Sequence, residues 1–206
     1  MIDWIKLSGL TKYDKSLQIM EDKLIQIILN RSSETVYLLE HEDVYTAGVS
    51  ARPEELLKKR SDIPIVYSNR GGKYTYHGPG QSVIYPLINL NNRVKDIKLY
   101  IQNLETVTIN TLQNFNLKTY TIKGKVGIWT NQKGTHAKLG AIGIRIRKWV
   151  TYHGLAINIS TELEKYTTII PCGISNLPVT SLHKLGIKIS IDNFNSIFQR
   201  EFEKIF

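Results

Sequence analysis

A single cysteine, Cys172, is the whole thiol content of this 206-residue chain. No internal disulfide can form, and no thiol cluster exists to hold a structural zinc. Nor does any apolar run approach the roughly 18 residues that a membrane-spanning helix needs. The opening Met-Ile-Asp-Trp-Ile-Lys lacks the basic-then-apolar pattern of a secretory signal, so a cytoplasmic protein without membrane association is expected. Repeats, low-complexity tracts and Pro- or Ser-rich linkers are missing as well, and the six prolines are scattered. One domain over residues 1–206 follows as the expectation. Acidic side chains are the scarcer charge, 18 against 27 Lys and Arg, which leaves a net charge of +9. Such a field steers acidic partners to the surface, whether nucleic acid or small acidic carrier proteins. Basic residues run from Lys6 to Lys204 with no basic tail, and Arg70-Gly71-Gly72 is one triplet and not a repeated box; both facts speak against nucleic acid.

What is present has two periodicities. Tyr13, Leu17, Met20, Leu24 and Ile27 recur at spacings of three and four, as do Ile97, Ile101, Leu104, Thr108, Leu112 and Phe115 after Asp96, and Phe194, Ile197, Phe198, Phe202 and Ile205 near the C-terminus. Each set predicts a helix with one apolar stripe. Between them, runs rich in β-branched and aromatic residues predict strands at 36–39, 63–67, 82–88, 126–130, 139–146 and 155–159. Strands in a block with few helices imply an α+β domain, a mixed β-sheet flanked by helices. Glycines cluster at 71, 72, 78, 80, 140, 143, 154 and 173, which reads as turns or close backbone approaches between or beside strands.

Three segments carry candidate chemistry. Residues 70–81, Arg-Gly-Gly-Lys-Tyr-Thr-Tyr-His-Gly-Pro-Gly-Gln, pack four glycines, two cations, two tyrosines and a histidine into one expected connection. It offers N–H groups and an arginine to an anionic or carbonyl-bearing ligand and aromatic faces to an apolar chain. It is neither a phosphate-cradling Walker loop nor a dinucleotide fingerprint, since no Gly-Lys-Ser/Thr ends it and the third glycine is missing. The second segment sets Lys138 among His136, Ala137, Leu139, Gly140, Ala141, Ile142 and Gly143. A lysine there is a candidate base if desolvated, or an ordinary edge-strand lysine pointing to water. In the third, Pro171 and Gly173 flank Cys172 inside an apolar stretch, which suits either a small buried hydrophobe or a nucleophilic thiol at a bend. A thiolate needs a base or cation beside it, and Lys138 or one of five histidines could serve. His41, His77, His136, His153 and His183 show no ligand spacing, so neither a metal nor another cofactor is expected. The strings Thr75-Tyr76-His77-Gly78 and Thr151-Tyr152-His153-Gly154 are alike, but the match is too short to mark a duplication.

Taken in order, these segments resemble the lipoyl(octanoyl) transferase family. The matching strings are Arg-Gly-Gly-x-x-Thr-Tyr-His-Gly-Pro-Gly-Gln at 70–81, Lys138 with Ala-Ile-Gly at 141–143, Trp-Val-Thr-Tyr-His-Gly-Leu-Ala-Ile-Asn at 149–158, and Pro-Cys-Gly-Ile at 171–174 followed by Val-Thr-Ser-Leu at 179–182. The likeness implies a fold shared with the catalytic domain of lipoate and biotin protein ligases. It implies an acyltransferase in which Cys172 is the acyl-thioester nucleophile and Lys138 activates it. Arg70, Gly71, Gly72, Lys73, Tyr74, Thr75, Tyr76 and His77, with Ala141, Ile142, Gly143, Gly154, Leu155 and Ala156, would line the substrate site. The implied donor is octanoyl acyl carrier protein. The implied acceptors are apo-lipoyl domains of 2-oxoacid dehydrogenase E2 subunits and the glycine cleavage H protein. An ATP-dependent ligase of the same fold and a non-enzymatic binder of acidic carriers are the rival readings. The chain departs from the family pattern at Asn69, where Asp precedes the Arg-Gly-Gly string, at Asp43 in place of Pro, and at Ser82 in place of Leu.

Overall fold

The computed structural model describes residues 2–171 and 177–206; Cys172 and the following Gly173 lie outside the described residues. Ten strands and three α-helices are defined. In chain order they are β1 (Asp3–Thr11), α1 (Tyr13–Ile28), β2 (Thr35–His41), β3 (Val44–Ala47), β4 (Ile65–Tyr67), β5 (Tyr74–His77), β6 (Gln81–Leu87), α2 (Ile97–Gln113), β7 (Thr119–Ile122), β8 (Lys125–Gln132), β9 (Thr135–Arg147), β10 (Val150–Asn158) and α3 (Ile191–Phe202). Seven strands form the main sheet in the order β1-β2-β6-β10-β9-β8-β7, and β4-β3-β5 form a smaller one. Both are mixed: β1 pairs with β2 and β3 with β4 in parallel, while the other neighbours are antiparallel.

Period-two alternation fills both faces of the main sheet. Val36 and Leu38 of β2, with Ile84 of β6 and Leu155 and Ile157 of β10, meet Tyr100, Leu104 and Val107 of α2 and Phe194, Phe198 and Phe202 of α3. Their neighbours Tyr37, Leu39, Val83, Tyr85 and Ala156 turn to the other side, where Met20, Leu24 and Ile27 of α1 cover them. Helix α2 starts at Asp96, whose carboxylate accepts from the amides of Lys98 (2.8 Å) and Leu99 (3.1 Å), and α3 starts at Ser190, which caps Asn193 N at 3.1 Å. The stripe of α2 is turned from the one periodicity suggests. Ile97 is exposed and Ile101 only half-buried, whereas Tyr100 and Val107 are fully in the core, because the helix faces the sheet with its tyrosine.

Two expectations about residues 70–81 and the glycines need correcting. Residues 74–77 are strand β5, paired with β3, and only their flanks are connection. Gly140 and Gly143 lie inside β9, as the strand expected at 139–146 implies, whereas Gly154 lies inside β10 and not ahead of it. At Gly154 the reason is close approach, since a Cβ would stand 2.0 Å from the carbonyl oxygen of Ile84 on β6. No helix among the described residues is long and apolar enough to cross a membrane.

Candidate active site

Strands β5, β9 and β10 and the N-terminus of α1 enclose a cleft of about 490 Å³, within the range of small-molecule sites. Alternation on β5 sends Thr75 and His77 into it, while Tyr74 and Tyr76 turn away into the core of the smaller sheet beside Tyr45, Ile63 and Tyr166. Arg70, Gly71, Gly72 and Lys73 cover one side, and Ala141, Ile142 and Gly143 of β9 with Gly154, Leu155 and Ala156 of β10 form the floor. Twelve of the fourteen residues that the resemblance assigns to substrate therefore line one cavity, the exceptions being Tyr74 and Tyr76. Tyr13, Ser50, Tyr85, Gly124, Lys125, Val126 and His153 line it too. Among these, only His153 lies in a string that sequence reading singled out; Tyr13 and Tyr85 arrive from distant elements with no local signal.

Arg70 is buried, and its guanidinium is pinned by neutral oxygens. Nη2 donates to Thr46 O, Thr46 Oγ1 and Lys73 O, all at 2.7 Å, Nε to Thr46 Oγ1 at 3.0 Å, and Nη1 to Gly71 O at 2.9 Å. That cation charges the cleft without reaching for solvent. Lys73 pairs with the buried Glu55. No residue lining the cleft is acidic among those described.

Three imidazoles are buried here, His77 and His153 in the cleft lining and His41 5.6 Å from the His77 ring. His41 is held between Thr11 O and the Tyr85 hydroxyl, both at 2.8 Å, and burial lowers its pKa to about 4. Burial, then the charge of Arg70, lowers His153 to about 3. Burial, with His41 and Arg70 adding repulsion, holds His77 well below its ordinary value. All three are neutral at pH 7. The two similar strings thus bring both their histidines to one cavity with different backbones: His153 sits at φ +56° inside β10, and its Nε2 faces Asn69 Oδ1 at 2.8 Å.

Asn69 is one of three departures from the family pattern, and each has a partner. Asp43 accepts from the Tyr76 hydroxyl at 2.5 Å and from Lys165 at 2.6 Å, and Ser82 donates to Asn195 at 2.6 Å.

Lys138, on β9, is 5% exposed, so the water-facing alternative does not hold. Its Nζ donates to Val126 O at 3.1 Å and stands 5.3 Å from the Trp129 ring centre. A Cβ on Gly127, at φ +127°, would come within 2.8 Å of Lys138 Cε, so glycine there leaves the lysine its room. A small hollow beside Lys138 is lined by Thr75, Gly140, Ala141, Asn158, Tyr166, Pro171 and Val179; Thr75 and Ala141 also line the large cleft. The backbone of Lys138 is tied to the chain that follows: its N–H donates to Pro178 O at 2.8 Å and its carbonyl accepts from Thr180 N at 2.9 Å. A buried relay links the two cavities. Gln81 meets His77 Nδ1 at 2.7 Å and donates to Asn158 Oδ1 at 2.9 Å, and Asn158 donates to Thr180 O at 3.0 Å.

A mixed sheet with helices on both faces, a cleft between its β9–β10 pair and β5 of the smaller sheet, and a buried lysine beside that cleft make a fold similar to the catalytic domain of the lipoate and biotin protein ligases. Solved structures bear this out at the level of fold. A lipoate-protein ligase A bound with ATP overlays with a TM-score of 0.75 at 17% identity, covering 98% of this chain and 85% of that one. A bipartite lipoate protein ligase from Thermoplasma acidophilum gives 0.75 at 15% identity, over 100% and 84%. Biotin protein ligase from Aquifex aeolicus with biotin and ATP gives 0.60 at 11% identity, over 98% and 69%. In sequence, the family described as lipoyl protein ligase A/B catalytic domain matches residues 12–203. The octanoyltransferases of Rickettsia felis and Rickettsia prowazekii are each 54% identical over 209 residues, covering 100% of both chains. The chain belongs to the lipoyl protein ligase A/B catalytic-domain family and, within it, to the octanoyltransferases, which makes it an acyltransferase.

Proposed function

We propose that the protein moves an octanoyl group from octanoyl acyl carrier protein to a lysine of an apo-lipoyl domain, through a thioester on Cys172. The acceptors are the lipoyl domains of 2-oxoacid dehydrogenase E2 subunits and the glycine cleavage H protein. Lys138 takes the thiol proton of Cys172; the thiolate attacks the carrier thioester, and the carrier thiol leaves with a proton. The ε-amine of the acceptor lysine then attacks the enzyme thioester, an amide forms and the Cys172 thiol is regenerated. Thioester exchanges for thioester and then for amide, so no ATP enters, and two half-reactions follow each other at one site. One catalytic domain spanning residues 1–206 carries the whole reaction.

The observation that carries this reading is the junction of the two cavities. The cleft, walled by Ala141, Ile142, Leu155 and Ala156, suits a medium-length acyl chain, and it shares Thr75 and Ala141 with the hollow of Lys138. Pro171, the chain neighbour of Cys172, lines that same hollow. Pro171 precedes Cys172 in the chain, which supports Lys138 over the cleft's His77 and His153 as its partner.

The test is intact-mass spectrometry of the wild type and a Cys172→Ser variant mixed with octanoyl acyl carrier protein in the absence of ATP. A hydroxylamine-sensitive gain of one octanoyl group on the wild type alone is the expected result. Turnover that requires free octanoate and ATP, with no adduct, would defeat the proposal and favour a ligase.

A further inference from the structure

Arg145 and Arg147 continue along β9 on the face that Ala141 and Gly143 present to the cleft, because side chains two apart share a face. Ile144 and Ile146, between them, pack against the core on the other side. Both arginines are exposed where the strand runs out past the cavity. The β7–β8 turn and the start of β8 bring Gly124, Lys125 and Val126 to the same cavity, with the exposed Lys123 next in the chain. Lys123, Lys125, Arg145 and Arg147 therefore stand around one rim, and none of them is in an ion pair among the described residues. Elsewhere some cations are matched, among them Lys6 by Asp192, Lys73 by Glu55, Arg93 by Glu34, Lys165 by Asp43 and Lys204 by Glu201; what sets the rim apart is its place at the cleft mouth. Val126, half-exposed at the start of β8, adds an apolar surface.

We propose that this rim is the docking surface for the donor, a small acidic carrier protein whose pendant thioester arm enters the cleft between the β7–β8 turn and the end of β9. Unmatched cations beside a cavity mouth raise the local concentration of an acidic partner and orient it. The rim borders a cleft floored by Ala141, Ile142, Leu155 and Ala156, an apolar lining that suits an acyl arm. This surface rests on the acyl-transfer reading above, and it adds to that reading where the protein body of the donor sits. It also puts the partner on the segment whose Val126 carbonyl accepts from the Lys138 ammonium, so the start of β8 touches both the rim and the candidate base.

The experiment reverses three rim charges that do not line the cleft, Lys123→Glu, Arg145→Glu and Arg147→Glu together, beside a control that reverses two cations elsewhere, Lys133→Glu and Lys188→Glu. Lys133 lies in the turn at the far end of β8 and Lys188 precedes α3. Two donors are compared, octanoyl acyl carrier protein and the small thioester octanoyl-N-acetylcysteamine. The expected result is a loss of about tenfold or more in kcat/KM for the carrier donor at low ionic strength, a flatter dependence on salt, and unchanged turnover of the small donor. Carrier rates and salt dependence like those of the wild type would overturn the proposal. So would an equal loss in the Lys133/Lys188 variant, which would mean that net charge and not this rim does the steering, or an equal loss with the small donor, which would mean damage to the site itself. Absence of transfer from either donor to the wild type is a different failure, that of the acyl-transfer reading, and the small donor separates the two.

Discussion

At the scale of single residues, space decides more than charge does. Gly154 is the clearest case: with the Ile84 carbonyl 2.0 Å from where a Cβ would be, β6 and β10 cannot keep their distance around an alanine. Gly154→Ala is expected to lower stability by about 1–3 kcal/mol and to slow transfer as well, since residue 154 is cleft floor. Chemical denaturation and steady-state rates check both, and an unchanged unfolding midpoint would refute the packing argument. The sequence flagged this glycine but could not say that its value lay in a strand interior, because the obstructing oxygen belongs to a residue seventy positions earlier. Lys138 shows the same limit from the other side. Its apolar neighbours allowed burial or exposure equally, and what settles it is the Val126 carbonyl and the Trp129 ring on the adjacent strand. Likewise Asn69 reads as an oddity in the chain and becomes the partner of His153 only when β10 passes beneath it.

Secondary-structure elements were legible in proportion to how strongly their burial is one-sided. All three helices and six of the ten strands stand out in the pattern of apolar residues. The four that do not are β1, β3, β5 and β7. Strand β1 is a mostly exposed edge whose pairing with β2 slips between Lys6 and Leu10; the others are four residues each, too short to establish a period. Strand β5 is further disguised by Gly71, Gly72, Gly78 and Gly80 on either side, which make the stretch look like pure loop. The boundaries of α2 were easier, since Asp96 is an N-cap that the chain announces. Asp96→Ala leaves the amides of Lys98 and Leu99 without their acceptor and should lower stability by about 1 kcal/mol, read as a shift of the urea midpoint with the slope unchanged. No shift would mean that packing by Tyr100 and Leu104 holds the first turn by itself.

For the molecule as a whole, the three neutral imidazoles tie stability to pH. His41, His77 and His153 all have folded pKa values below the roughly 6.5 of an unfolded histidine. Between about pH 6.5 and 4 the unfolded chain therefore holds more protons than the folded one, and stability falls as pH falls through that window. Above it the contribution is complete. The urea midpoint should drop between pH 7.5 and pH 5, an interval in which carboxylates with ordinary values stay ionised; a flat profile would show that the cluster is charged or open in solution.

The pairing of Lys138 with Pro178 and Thr180 has a consequence for the order in which the protein is made. A ribosome finishes β9 some thirty residues before it reaches the segment that accepts and donates the hydrogen bonds of Lys138. The β6–β10 junction, which joins residues 81–84 to 155–158, also waits for chain made long after its first strand. A nascent chain can thus hold most of the cleft's residues and still lack the wall that closes around its lysine. The pairing that fixes the Lys138 backbone on its outer side therefore forms only once residue 180 has been made.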